Sequence, residues 1–449
     1  MATAGSAGGL SCLKSFADLG RALTLTNICR LFALLLVAWQ PFPGEYRVPL
    51  VGSALLGLTL TWRGEWRAVA EPAKRLGLLL LCLLIPGLLS IPTSLAPSKS
   101  WGEIASVVLV GLAGLSVLYG LRRQQDHRWL QTGLVIVIAA WIGDGLLQAL
   151  TGADVFGIVP PDGFITGPFR PNAIFGIILS ILLPLVFWGP LKKREWWAPF
   201  LLCGTLVVIV LTGQRNNLLL AAIGLACISN LWSKRTRLVA ASLFAATLIV
   251  TYPLSPALQE RGSIMIDTLL RQPTSPKTIE NKSSALDDAD NTLAKLNALS
   301  SNRGYIFEAG INMIKAQPVF GIGASAFRKA YPKFTSEKPA QQNLHAHHIY
   351  LGITAETGLI GLSSFLFAIV LASKWFLTST PDRRSSAIPY AYTLIVMLFP
   401  LATHTSLYRA FHFSIFLMVL CGFLSALYSP SIGECLNIDK EKDLASSEP

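Results

Sequence analysis

Three histidines crowd the stretch NLHAHHIYLGITAETGLIGL: His345, His347 and His348 stand in its polar opening, just ahead of a long apolar run. Imidazole is an awkward occupant for the edge of a bilayer, being bulky, polar and ionisable near neutral pH. Three readings account for it. The rings are polar helix-start residues in water. Or they bind a metal, with His345 and His348 on one helical face, although no Asp or Cys stands at a familiar ligand spacing nearby. Or one ring is a general base that takes the proton of an alcohol as it attacks an electrophile. Arginines supply complementary chemistry: Arg170 in GPFRPNAIFG, Arg215 in LTGQRNNLLL, Arg303 in SNRGYIFEAG and Arg409 in HTSLYRAFH each stand in or beside a polar link. A single interfacial Arg snorkels. Several together repel one another unless an anion binds among them, and a guanidinium fork suits phosphate oxygens. An imidazole base with an arginine clamp describes group transfer from a phosphate-activated donor held in a membrane.

The elements that must position these residues are apolar. Of 449 residues, 52% are hydrophobic and 14% charged, against roughly 25% charged in soluble proteins. A helix needs about 20 apolar residues to cross the hydrocarbon core. Such runs occur near 24–41, 48–62, 76–93, 102–121, 129–150, 172–190, 197–213, 216–232, 237–254, 349–373, 387–407 and 410–428. The second is short and the third is interrupted by Pro86. Loops after even-numbered runs hold basic clusters, such as Lys192, Lys193 and Arg194, whereas the short loops after odd-numbered runs hold about one basic residue each. The positive-inside rule then puts both termini in the cytoplasm and the histidines outside. Sorted this way, the net charge of +12 reports membrane sidedness, and no nucleic-acid partner is expected.

The expected fold is an all-α polytopic membrane protein of about twelve transmembrane helices with one large, mainly helical periplasmic segment. Its parts are a cytoplasmic lead (1–23), nine spans (24–254), the outer segment (255–345), three spans (346–428) and a disordered cytoplasmic tail (429–449). Within the outer segment, 272–300 is polar and flexible. Ile306, Phe307, Gly310, Ile311 and Ile314 form a helical stripe that stops at Pro318, with Arg303 at its start. VFGIGASAF is a glycine-bearing turn into another helix or re-entrant piece. Its glycines suit either close backbone approach to a phosphate or apolar packing. No cysteine lies in this segment, so it has neither a disulfide framework nor a thiolate zinc site. Walker A, dinucleotide and nucleophile-elbow patterns are absent, so no ATP chemistry is expected of the chain.

Three stretches, in this order, resemble the O-antigen ligase and polymerase superfamily of bacterial inner-membrane glycosyl transfer proteins. They are TGQRNNLL, SNRGYIFEAGINMIKAQPVFGIGASAFRKAYP, and HAHHIYLGITAETGLIGL, within about 165–375. The second is similar to the family's Arg-helix-Pro-x-x-Gly-x-Gly stretch and the third to its His-Asn-x-Tyr-Leu … Glu-x-Gly-x-x-Gly pattern. The resemblance implies a GT-C-like fold and a donor glycan on undecaprenyl pyrophosphate. It also implies a lipid A-core acceptor, membrane lipids as surroundings, and a metal- and cofactor-independent transfer at the periplasmic face of a Gram-negative inner membrane. His347 matches the family's catalytic histidine, and Arg215 and Arg303 match its arginines. The family's Asn is His348 here, so His347 and His345 both stand as candidates for the base. Arg170 and Arg409 join the pyrophosphate set from topology alone. The alternatives are a polymerase of the same superfamily and a small-solute transporter. The latter would use ionisable groups in mid-membrane, for which Asp144, near the outer end of its run, is the one carboxylate in the body of a span.

Overall fold

In the computed structural model, the residues described are 24–42, 47–160, 164–169, 174–231, 303–336, 345–402 and 410–428, with a few isolated positions between 234 and 259. Every regular element among them is helical. In chain order they are α1 (Leu25–Ala38), α2 (Arg47–Trp62), α3 (Ala70–Leu89), α4 (Pro97–Gly120), α5 (Gln124–Thr151), α6 (Phe175–Lys193), α7 (Ala198–Leu211) and α8 (Arg215–Ile228). After these come α9 (Gly304–Ala316), α10 (Phe327–Phe334), α11 (Ile349–Thr378), α12 (Pro381–Met397) and α13 (Ala410–Tyr428). Each expected run overlaps one of these helices, the eleventh (387–407) only as far as Met397, except the ninth, 237–254, which falls mostly outside the described residues, as do 260–302 and the two termini.

Five of the described helices are long and apolar enough to cross a membrane: Glu65–Leu89, Pro97–Gly120, Gln124–Thr151, Phe175–Lys193 and Ile349–Thr378. Large apolar side chains stand exposed along the bundle, among them Leu55, Val108, Ile136, Phe200, Phe367 and Val370. A water-soluble bundle would turn such residues inward. Here they form a surface for lipid, and the chain is an all-α membrane protein. α6 is the central post, with every residue from Phe175 to Trp188 buried. It packs against α5, α7, α8 and α12, while α4 joins α1, α2, α3 and α13 on the other flank.

Contacts sort the helix ends into two groups. At one end Arg30 pairs with Asp126, Tyr119 donates to Glu65, and Arg75 lies over the Trp375 and Tyr428 rings. There too Gln124 reaches Ser386, and Lys192 reaches Ser385. These are the basic loops of the charge pattern, gathered on one face. At the other end Tyr350 donates to the Leu398 carbonyl, Gln40 reaches Ser414, and the 318–326 loop meets 90–100. The basic clusters of the short loops thus share one end of the bundle, while α9 and α10 at the other end carry Lys315, Arg328, Lys329 and Lys333.

Three local expectations fail. Pro86 lies inside a continuous α3, not at a break; neighbouring apolar helices tolerate the lost backbone bond. The stripe on α9 is rotated: Ile306, Ala309, Gly310 and Met313 are buried, whereas Ile311 is exposed. Small residues mark the buried side because Gly310 lies against Leu351, close enough that a Cβ would fall 2.9 Å from its side chain. Finally, Asp144, whose carboxylate accepts the Val155 amide near the helix end, is not the sole carboxylate within an apolar helix, since Glu103 and Glu356 also lie in such helices.

Candidate active site

Helix α11 begins at the histidines and is broken nine residues on. His348 is its N-cap, in extended conformation, and its Nδ1 accepts the Leu351 amide at 3.2 Å. That bond requires an unprotonated Nδ1, so the neutral ring carries its proton on Nε2. Burial lowers the His348 pKa from its ordinary value. Before it, His347 adopts a left-handed backbone (φ +51°), a region uncommon outside glycine and found at constrained sites. The His347 amide donates to His345 Nδ1 at 3.0 Å, and the two rings lie 4.0 Å apart. His345 is buried, at 9% exposure, and His347 is half-exposed. With its Nδ1 committed to a backbone amide, neutral His345 has only an N–H to offer outward. His347 is therefore the better placed of the two to receive a proton.

Arg303 is the N-cap of α9, half-buried. α9 lies along the first turns of α11: Phe307 meets the His348 ring edge-on at 6.4 Å. Ile306, Ala309 and Met313 enter a small core with Phe327, Tyr331 and Ala355. Between α9 and α11 opens a cavity of about 470 Å³ lined by Phe307, Ile311, His348, Tyr350, Leu351 and Thr354. Tyr350 also lines an apolar groove of about 530 Å³ that runs between α3, α11, α12 and α13 as far as Phe376 and Phe423.

What holds this region is an exchange of backbone hydrogen bonds. At Gly358 the helix takes φ 68°, ψ −168°, a conformation essentially reserved for glycine. The amides of Leu359 and Ile360 turn away to the carbonyls of Pro318 and Val319, and the abandoned carbonyls of Ala355 and Glu356 accept the amides of Ile322 and Gly323. A Cβ on Gly358 would fall 2.1 Å from the Val319 oxygen, and one on Gly321 2.4 Å from the Glu356 carbonyl carbon. The glycines of FGIG and ETG therefore let two protein backbones meet; in this arrangement they pack against chain and not against phosphate. Glu356, 6% exposed, accepts the Phe327 amide at 3.1 Å and so fixes the start of α10. The loop's other side is tied down by Thr93, which donates to the Gly321 carbonyl, and Ser100, which donates to that of Ala324. Sequence reasoning missed the break because TAETGLIGL reads as unbroken apolar helix. The available signal was a carboxylate two residues before a glycine inside a span.

Arg215 opens α8 after a tight turn at Gly213 (φ +67°). Asn217, fully buried, donates to Thr212 Oγ1 and accepts at its carbonyl from Ser180, and Gly176 on α6 makes room for both. Trp188 near the far end of α6 contacts Tyr392 on α12, and Tyr350 joins the end of α12 to the start of α11. Arg215 thus lies at the histidine end of the bundle, on the α6–α7–α8 group, while Arg303, His345, His347 and His348 lie together on the α9–α11 group. Arg170 and Arg409 fall outside the described residues. Among the described residues, no group of three His, Cys, Asp or Glu side chains is placed to hold a metal ion.

Fold and site together define a polytopic α-helical membrane protein with Arg303 and three histidines on one helix group and Arg215 at the same end on another. Residues 199–366 match the family model described as O-antigen ligase. The matched stretch contains Arg215, Arg303, the three histidines and both glycine-bearing strands of the interlock; Arg170 and Arg409 lie outside it. A comparison with curated proteins found no match.

Proposed function

We propose that the protein is an O-antigen ligase that transfers glycan from undecaprenyl pyrophosphate to lipid A-core oligosaccharide at the periplasmic face of the inner membrane. The observation that carries this reading is the location of the family stretch's arginines and histidines at one end of the bundle. Arg215 and Arg303, joined by Arg170 and Arg409, hold the donor pyrophosphate, where forked guanidinium contacts counter its charge. The apolar groove that starts at Tyr350 takes the polyprenyl chain. His347 accepts the proton of an acceptor hydroxyl as its oxygen attacks the anomeric carbon from the face opposite the phosphate. The new glycosidic C–O bond forms, the C–O bond to phosphate breaks, and undecaprenyl pyrophosphate leaves with the electron pair, stabilised by the arginines. Configuration inverts in one displacement, and no metal takes part.

The deciding assay incubates the purified full chain with a defined undecaprenyl pyrophosphate glycan and lipid A-core, in chelator. Wild type transfers, and His347→Ala loses about 100-fold or more while still binding donor. Transfer only to a second lipid-linked repeat assigns polymerase activity instead. Loss of activity in chelator, or full turnover by His347→Ala, removes the mechanism.

A further inference from the structure

The basic end of the bundle holds a separate cavity, a full helix length from the histidines. It is a cleft of about 590 Å³ between the start of α5, the end of α6 and the start of α12. Arg128, Lys192 and Lys193 stand on its walls against a single carboxylate, Glu195, so its field is positive. Neutral donors lie among these charges: Gln131 beside Gly189, and Ser385 and Ser386, which already tie Lys192 and Gln124 across the cleft base. Its surroundings are amphipathic. Trp196, between the cleft residues Glu195 and Trp197, is exposed and meets the exposed Phe200 in the first turn of α7, and further along α5 Ile136 is 65% exposed. Tryptophan of this kind marks the headgroup level of a bilayer, and bare aliphatic and aromatic side chains beyond it mark the acyl region. None of these residues belongs to the stretch matched by the ligase family except Phe200.

A cavity that is cationic and donor-rich at its mouth and opens beside lipid-facing apolar surface fits a ligand with an anionic phosphate head and hydrocarbon tails. Evenly spread loop charge would serve membrane orientation equally well; a cleft adds a place for phosphate oxygens. We propose that this cleft binds the phosphate headgroup of an anionic bilayer phospholipid, whose acyl chains lie along the exposed side chains of α5 and α7. The bound lipid fills the gap between three helices and ties the α5–α6 pair to α12.

The test measures thermal unfolding of the full chain in neutral detergent with added diphosphatidylglycerol, phosphatidylcholine or inorganic pyrophosphate. Diphosphatidylglycerol gives wild type a saturable rise of a few degrees, and phosphatidylcholine and pyrophosphate give none. The combined variant Arg128→Gln, Lys192→Gln, Lys193→Gln loses that rise. The charge-matched variant Arg63→Gln, Arg67→Gln, Lys74→Gln, with its changes at the same end but away from the cleft, keeps it. Equal loss in both variants would reduce the effect to overall charge, an unaltered rise in the cleft variant would remove the site, and an equal rise with pyrophosphate would make it a site for free phosphate. If the cleft variant does not fold, Thr132→Cys on the cleft wall keeps every cation. Diphosphatidylglycerol then shields the new thiol from maleimide, and labelling undiminished by the lipid overturns the proposal.

Discussion

His348 does the work of an asparagine. The resembling family pattern has Asn at this position, and Asn is among the strongest N-caps because its side-chain oxygen accepts an amide of the first turn. His348 Nδ1 accepts the Leu351 amide in the same way, but only while the ring is neutral. Its folded-state pKa is lowered by burial, so in acid the unfolded chain binds the proton more readily and stability falls as pH drops below about 6.5, the ordinary imidazole value. His348→Asn should keep the wild-type melting temperature at pH 8 and lose less of it at pH 5, whereas His348→Ala should lose about 1 kcal/mol at pH 8. Melting curves of the three proteins across this range check it, and parallel pH slopes for wild type and His348→Asn would dissociate the cap from the titration. The same geometry separates the roles of its neighbours. His345 accepts the His347 amide at Nδ1 and is the more buried of the two, which under the proposed mechanism suits it to positioning and His347 to proton transfer.

At the scale of elements, the break in α11 decides whether the site exists. Four backbone hydrogen bonds cross between the broken turn and the 318–323 loop, and both strands rely on glycine conformations or clearances. Gly358→Ala should cost at least ~2 kcal/mol from backbone strain alone, with further loss from the clash at Val319. The control is Gly77→Ala in α3, where nothing stands within 4 Å of the new methyl and helix propensity favours alanine by up to ~1 kcal/mol. Melting temperatures of the two variants should move in opposite directions; a tolerated Gly358→Ala would mean the helix can run straight. This interlock was hidden in the sequence, although most helices were legible. An apolar run reports burial or lipid whatever its internal hydrogen bonding, so the positions of α4, α5 and α11 followed from composition. A single glycine in TAETGLIGL carries no periodic signal of a break, and the partner loop lies more than thirty residues earlier. The rotation of α9 was hidden for a related reason: both its faces are apolar, one toward the core of Phe327 and Tyr331, the other toward the cavity beside His348. Hydrophobic spacing cannot choose between such faces. Of the candidate site, the sequence offered the histidines and arginines as candidates but not the local geometry, since which ring nitrogen meets which amide depends on the fold.

For the whole molecule, one organising feature is that the basic clusters of the short loops share one end of the bundle. Lys192, Lys193, Arg122 and Arg384 belong to the end where α5 and α12 begin, and the histidines to the end where α11 begins. Cationic loops resist translocation, so the first end should face the cytoplasm and the second the periplasm. The donor proposed above, on a polyprenyl carrier, would then meet the imidazoles and arginines on the outer side, away from nucleotide chemistry. Two exposed lysines report the orientation: Lys193 at the end of α6 and Lys315 in the last turn of α9. In intact spheroplasts, a membrane-impermeant maleimide should label Lys315→Cys above the parent protein and leave Lys193→Cys unlabelled until the membrane is permeabilised. The native cysteines set the background, and Cys29, Cys82 and Cys421 are buried. Labelling of Lys193→Cys alone in intact spheroplasts would invert the molecule and place the histidines in the cytoplasm. Labelling of both would show that the two ends are not on opposite sides of a bilayer, which would dissolve the charge argument and the periplasmic site together.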